Sequence, residues 1–532
     1  MRICRFFYSQ WFIFLLFVIV CGTKQMIFPY DNAWDLVNYH YYNAWAFSND
    51  RLGYDIAPAT LHTYFNPLMD LPFYWMIQYW NDYPHLIAFM QGAWSGLLLF
   101  VFYKIVLLFF DVTSEKIKIL LTIMIAATGF SFLSQVGTTT NEIQVSFLIL
   151  CGFYLIARNI ERTERSLKIW VISGALMGAA LGFKPTVVTY CCAMGLILIL
   201  FAKQLGVSSK EIIFFALFGL IGYLSVNGYF MVRLYNLFGN PFFPFLNKIF
   251  HSPYFIDDNF RDARYTDISW IKKIFLPFYF SSYTKRYVSE VWFHDFRFAI
   301  AYVVLIVSLI KWGYQSKFRF VTKRLDLLFY AFIFSSYLIW LNVFSIIRYA
   351  IILEMFSALV LVRFFTSIRI KNTIGYTVFG TLEIIGLFVL ISAVPEYIRV
   401  WQEVSGKQKY IEMEKIHLPD NALIKLYGFP SAMPAALAIG DRHDIKLVGY
   451  ANRSYRIPED FMEVTAFRHL RNEAEQNHQG AEIALVSSLW GNADERLKQL
   501  RYTGMYCRLL QFRLWQINIC VPKTLKSEIL GE

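Results

Sequence analysis

The stretch YDNAWDLVNYHYYNAWAF, residues 30–47, sets two aspartates, a histidine and three asparagines among seven aromatic side chains. It follows directly on an apolar run from Phe6 to Phe28, and the fold depends on what that run is. Arg2 and Arg5 precede it, but no A-x-A cleavage site closes it, and Val20 before Cys21 is a poor residue for lipoprotein processing. The run therefore reads as a retained first membrane helix with its N-terminus in the cytoplasm. The polar and aromatic stretch emerges from it on the outer side.

The rest of the chain supports that frame. Of 532 residues, 57% are apolar, 19% aromatic and only 17% charged, which excludes an ordinary soluble enzyme. Further candidate helices fall at 85–110, 118–136, 142–158, 169–183, 186–202, 211–232, 298–311, 325–341, 347–363 and 374–394. Together with the first they give an α-helical polytopic membrane protein of about eleven transmembrane helices. The loops on one side, DVTSEKIK, RNIERTERSLK, KQLGVSSK, KWGYQSKFRFVTKR and RFFTSIRIK, are rich in Lys and Arg. Those on the other, VGTTTNE, FKPT and LNVFSIIR, carry at most one positive charge each. This alternation follows the positive-inside rule and accounts for the net charge of +12, so no nucleic-acid partner is expected.

The odd count places three hydrophilic pieces on the same outer side: the loop 29–84, the loop 233–297 and the tail. Residues 1–394 form the membrane domain, and 395–532 a small extracytoplasmic α/β domain. In the tail, NALIKLYGF and EIALVSSL read as strands, NADERLKQLRYTG as an amphipathic helix, and LLQFRLWQINICV as a closing strand pair or one bent strand. Among seven cysteines, Cys507 and Cys520 lie in the polar C-terminal region within two strand-like runs that could form a hairpin, where an outer location would permit a disulfide.

Candidate chemistry concentrates in the outer pieces. On a juxtamembrane helix, Asp31 and Asp35 would share one face, continued by Asn38, Tyr39 and Tyr42. A carboxylate in a partly dry cleft is a natural general base, with capping by Asp31 as the plain alternative. Downstream, Asp55, His62, Asn66 and Asp70 stand among Pro58, Pro67 and Pro72, which break any continuous helix; Asp70 reads as a turn or cap residue, His40 as interfacial packing. Lys184, in LGFKPTVV, and Arg348, in FSIIRYAIILEMF, are cations at predicted outer helix ends or within a span, suited to a phosphate. Glu354 below Arg348 is a further ligand candidate, and Glu142 a first-turn residue or second acid. There is no phosphate-binding glycine loop and no metal-ligand spacing, so the cofactor stays open, a divalent metal included.

The layout, with DLVNY (35–39) and NPLMDLPFYW (66–75) in the first outer loop, resembles the GT-C superfamily of integral-membrane glycosyltransferases, which use polyprenyl-phosphate sugars. GNPFFPFLN and RYAIILE are similar to elements of a poorly characterised bacterial branch. Leu36 stands where a second acid is frequent, and Asn66 where a Lys-Pro-Pro step is often found. The resemblance implies Asp35 as catalytic base, assisted by Asp31. It also implies inverting transfer from a polyprenyl-phosphate sugar to a glycan, lipid or protein acceptor at the outer face of the cytoplasmic membrane. Arg348, Lys184, Glu354, Asn38 and His62 would bind substrate or phosphate. Two rivals stand beside it. A polysaccharide polymerase or ligase would instead use His251, Arg261, Arg264 and His294, and a lipid-linked-sugar flippase would show paired charges and broken helices at mid-membrane.

Overall fold

The computed structural model describes residues 10–28, 30–260, 265–282, 287–316, 323–367, 401–402, 409–428, 430–450, 464–488, 493–512 and 515–531. Six helices are long and apolar enough to cross a bilayer: Gln10–Ile27, Pro84–Val106, Glu142–Ile160, Ser209–Phe238, Arg324–Val343 and the stretch Ile347–Thr366. Shorter apolar helices cover Leu167–Phe183, Pro185–Leu200 and Arg297–Ser308. The expected count of about eleven thus becomes six by length and composition among the described residues. The helix expected at 374–394 lies outside them.

One expected helix is broken. Residues 118–136 read as a single run but form Lys116–Ala127 and Phe130–Gln135, with Gly129 extended between them. The second helix starts afresh because its first N–H groups have side-chain acceptors. Glu354 takes those of Ser131 and Phe132, at 2.8 and 2.9 Å, and Asp295 takes that of Phe130 at 3.2 Å.

The helix Ser209–Phe238 begins with a capping box: Ser208 Oγ accepts from the Glu211 N–H, and Glu211 returns a bond from the Ser208 N–H at 2.7 Å. It ends at Gly239, whose φ of +68° suits a glycine. Its inner face lies backbone to backbone on Leu167–Phe183. A side chain at Gly174 would strike the Phe215 carbonyl, one at Gly178 the Gly219 carbonyl, and one at Gly222 the Ala175 carbonyl. Where lipid competes equally for apolar surface, such close approach of small residues supplies the packing that holds helices together.

The C-terminal residues form a five-stranded sheet in the order β4-β3-β5-β7-β6. β3 is Leu423–Tyr427, β4 Lys446–Tyr450, β5 Glu482–Ser487, β6 Met505–Phe512 and β7 Trp515–Pro522. β3 runs parallel to β4 and β5, and β7 antiparallel to β5 and β6. The closing region is therefore a strand pair, and Cys507 and Cys520, opposite each other across it, are joined by a disulfide. β4 and the helices Ala432–Ile439 and Thr465–Gln476 were not apparent from the sequence.

This sheet does not stand apart from the first outer loop. Tyr30, Leu36, Trp45 and Tyr74 share one buried cluster with Ile424, Leu447, Ile483 and Ile519. The two-residue strands β1, Tyr30–Asp31, and β2, Trp401–Gln402, pair antiparallel. Beyond them the Ile56 N–H donates to the Leu447 carbonyl at 2.9 Å, and the Gly449 N–H to the Ile56 carbonyl at 2.8 Å.

Gly178→Val should lower the thermal unfolding midpoint of the detergent-purified protein, in keeping with about 1–3 kcal/mol for overpacking a tight contact. Gly195→Ala, where an added Cβ meets nothing within 4 Å, is the control that should leave the midpoint in place or raise it.

Candidate functional site

The shared helix face expected for Asp31 and Asp35 does not form. Asp31 lies in β1, ahead of the helical turn, because its carboxylate is committed elsewhere. Oδ1 accepts from the Ala33 N–H at 3.0 Å, and Oδ2 from the Thr139 N–H and hydroxyl at 2.8 and 2.9 Å. Only 1% exposed, Asp31 pins the loop 137–141 against the base of the first outer loop. Asp35 heads a π-helical turn, Leu36–His40, which continues into the helix Tyr41–Ser48. The Tyr41 N–H reaches back five residues to the Leu36 carbonyl. This widened turn sets His40, five residues on from Asp35, on the same side of the turn; such bulges recur at functional sites.

Asp35 and Arg348 meet: Arg348 Nη1 donates to Asp35 Oδ2 at 2.8 Å. The same Nη1 lies 3.3 Å from Glu290, a residue the sequence reading passed over because a lone glutamate in a loop carries no pattern. Arg348 itself sits in the short 3-10 turn Ile347–Ala350 that opens the apolar stretch Ile347–Thr366, ahead of the α-helix Ile351–Ser367. The turn is held in place by the Ile347 N–H, which donates to the Val288 carbonyl at 2.8 Å. Lys184 follows the end of Leu167–Phe183 and pairs with Glu142 at 2.6 Å, its ammonium also donating to the Thr140 carbonyl.

Burial opposes ionisation of Asp35. The positive field of Arg348 leads the charges that outweigh it and hold the carboxyl at about 2, below its ordinary 3.8. Lys184 and Arg348, both remote in sequence from Asp35, therefore act on it together. Tyr39 is embedded in the same field: burial first, then the charge of Asp35, pushes its phenol up, while Arg348 opposes. His62 stacks on Tyr39 with centroids 4.9 Å apart, and Trp34 meets His62 edge-on at 5.4 Å.

Asp70 does not cap its helix, Leu71–Trp80. Its Oδ1 instead accepts from His40 Nδ1 at 2.7 Å and from the Asn141 amide at 2.5 Å. Asn141 adopts a φ of +65° to make that contact, a conformation asparagine tolerates better than most residues. Several buried polar atoms of the segment 32–40 have no hydrogen-bond partner among the described residues: both amide atoms of Asn32 and of Asn38, and Nε2 of His40. Buried polar atoms of this kind are normally satisfied by water or a ligand. Asn38, fully buried, thus presents one donor and one acceptor.

Other candidates lie elsewhere or serve as ties. Glu354, fully buried and roughly 9 Å along the helix from Arg348, caps Phe130–Gln135 as described. Arg297 beside it donates to Asp295, to the Ile125 carbonyl and to Thr128 Oγ1, so these intramembrane charges clamp two helix ends. Asn66 donates to the carbonyls of Gly182 and Val226 and to Asn227 Oδ1, tying the first outer loop to two membrane helices. Of the residues a polymerase or ligase would use, His251 is exposed and paired with Asp257 at 2.8 Å, and Arg261 and Arg264 lie outside the described residues. His294 follows Phe293, which stacks on Phe130. No group of three or more His, Cys, Asp or Glu side chains suited to a metal occurs among the described residues.

The chain matches no protein-family model and no curated protein. The geometry of the site therefore carries the functional argument.

The Asp35–Arg348 pairing stabilises the fold fully above pH 3.8, and that contribution is lost as the pH falls toward about 2. The stability gap between the parent and Arg348→Gln should accordingly be widest at neutral pH and narrow as acid protonates the carboxyl. Thermal unfolding of both proteins from pH 7 down to about 2 measures it; a gap independent of pH would remove Asp35 as the partner that matters.

Proposed function

We propose that the chain is an inverting membrane glycosyltransferase of the GT-C kind, taking a sugar from a polyprenyl-phosphate donor to an acceptor hydroxyl at the outer face of the cytoplasmic membrane. The observation that carries this reading is the Asp35–Arg348 ion pair, 2.8 Å apart, with Lys184 close enough for its field to act on the same carboxylate. A lone carboxylate at the mouth of a helix bundle has many explanations. One held between an arginine and a lysine fits a reaction in which a phosphate leaves as a proton is removed.

In this mechanism the oxygen of the acceptor hydroxyl attacks the anomeric carbon from the face opposite the phosphate. The new C–O bond forms as the C–O bond to phosphate breaks, and the electron pair leaves on the lipid phosphate. Arg348 and Lys184 meet the charge that develops there. Arg348 that turns toward the phosphate loosens its hold on Asp35, and the carboxylate becomes a better proton acceptor when the donor is bound. Asn38, with both amide atoms free, and His62 supply contacts to the sugar. A glycan, a lipid or a protein hydroxyl serves as acceptor, and surrounding membrane lipids share the groove with the polyprenyl tail. The Cys507–Cys520 disulfide supports an oxidising, outer location for the sheet and for the loop docked on it.

Membranes containing the parent, Asp35→Asn or Arg348→Ala, assayed with a panel of polyprenyl-phosphate sugars, test the assignment. Each variant should lose transfer by roughly 100-fold or more. A stably expressed Asp35→Asn protein that transfers at the parent rate would show that Asp35 is not the base.

A further inference from the structure

Asp35 presents a difficulty for the reaction above. Once the phosphate departs and Arg348 returns to Asp35 at 2.8 Å, the carboxyl sheds the proton it has taken, so the proton needs a resting place close by. The first outer loop holds one side chain with the right chemistry. His40 is 5% exposed and closes the π-helical turn that Asp35 opens.

Its two ring nitrogens are in opposite situations. Nδ1 lies 2.7 Å from Asp70 Oδ1, and because a carboxylate only accepts, Nδ1 carries the hydrogen. That leaves Nε2 with a lone pair in the neutral ring, and Nε2 is buried with no partner among the described residues. Asp70 is itself fixed, by the Asn141 amide at 2.5 Å. A histidine kept only for packing would be expected to satisfy both nitrogens at this depth. Here one nitrogen is locked by a carboxylate and the other has no partner among the described residues, and the same holds for the amide of Asn38 two residues earlier in the turn.

We propose that His40, oriented by Asp70, is the group on which the acceptor's proton comes to rest. Resting on the glycosyl-transfer reading, the step runs as follows. The hydroxyl proton passes to the Asp35 carboxylate as the new glycosidic bond forms, and from there to His40 Nε2. Asp35 returns to its ionised state and re-engages Arg348 once the lipid phosphate departs. His40 releases the proton to water before the next turnover. Asp70 is a positioning residue in this scheme: it fixes the tautomer and stabilises the imidazolium, and it touches no substrate.

Two measurements on the full-length protein test this. In the transfer assay, His40→Gln should lower kcat by roughly 100-fold with little change in KM for the donor, and Asp70→Asn should lower kcat less, by about 10-fold. His40→Gln turning over at the parent rate, or losing only donor affinity, overturns the proposal and leaves the glycosyltransferase reading standing. A parent protein that transfers no sugar overturns that reading itself. Nitrogen NMR of the histidine-labelled chain addresses the pair without any substrate. Of the nine histidines, the signal absent from His40→Gln should report a ring protonated at Nδ1 and bare at Nε2, and Asp70→Asn should mix the tautomers. A His40 protonated at Nε2 in the parent removes the proton acceptor and overturns the proposal.

Discussion

A buried guanidinium is costly unless its donors are met, and Arg51 imposes that condition where the residue 30–80 segment meets the sheet. Its Nε and Nη2 grip Asp55 at 2.7 Å, while Nη1 and Nη2 reach the carbonyls of Arg442 and Ile445 at 3.1 and 2.6 Å. Asp55 in turn accepts from the Tyr42 hydroxyl at 2.8 Å and from the Leu447 N–H at 2.9 Å. Half of this network belongs to the first outer loop and half to the segment entering β4. Neither half is satisfied alone, so the sheet is the other wall of the loop's core rather than an appended module.

The candidate site follows from that docking. Tyr42 follows Asp35, Asn38 and His40 within the same helical segment, so fixing it through Asp55 fixes the helix that carries them. Asp31 then draws in the loop that carries Asn141 and leads to Glu142, Asn66 draws in the helix end beside Lys184, and the 3-10 turn brings Arg348 across. Two of these ties, through Asp31 and Asn66, are polar side chains bonded to backbone groups, and the third is the backbone bond from Ile347 to Val288.

The parts of this arrangement that were legible in the sequence are those governed by hydropathy and local pattern. Nearly every expected helix from 85 to 363 appears within a few residues of its place. The strands LIKLY and EIALVS were readable for the same reason, as was the significance of Asp35, Lys184 and Arg348 as charges against an apolar background. What escaped depends on contacts distant in sequence. The break at Gly129 is created by carboxylates from Asp295 and Glu354, more than 150 residues away, in a stretch whose own hydropathy favours continuity. Asp31 and Asp35 have the spacing of a shared helical face, but Asp31 is drawn into a strand by Thr139 and by β2. Asp70 precedes Leu-Pro like a cap residue, and only the fold reveals that its carboxylate is taken by His40. Glu290 had no local signal at all.

The helix Ser209–Phe238 has 30 residues, a length of about 45 Å, half as much again as a hydrocarbon core of about 30 Å. Its glycine face is anchored to Leu167–Phe183, while Phe230, Leu234 and Phe238 near its far end are buried together with Leu423, Val448 and Phe467 of the sheet domain. One continuous rod therefore spans from the packed membrane helices to the sheet. It acts as a ruler: its length fixes how far the sheet is held from the glycine-packed helix pair at its other end.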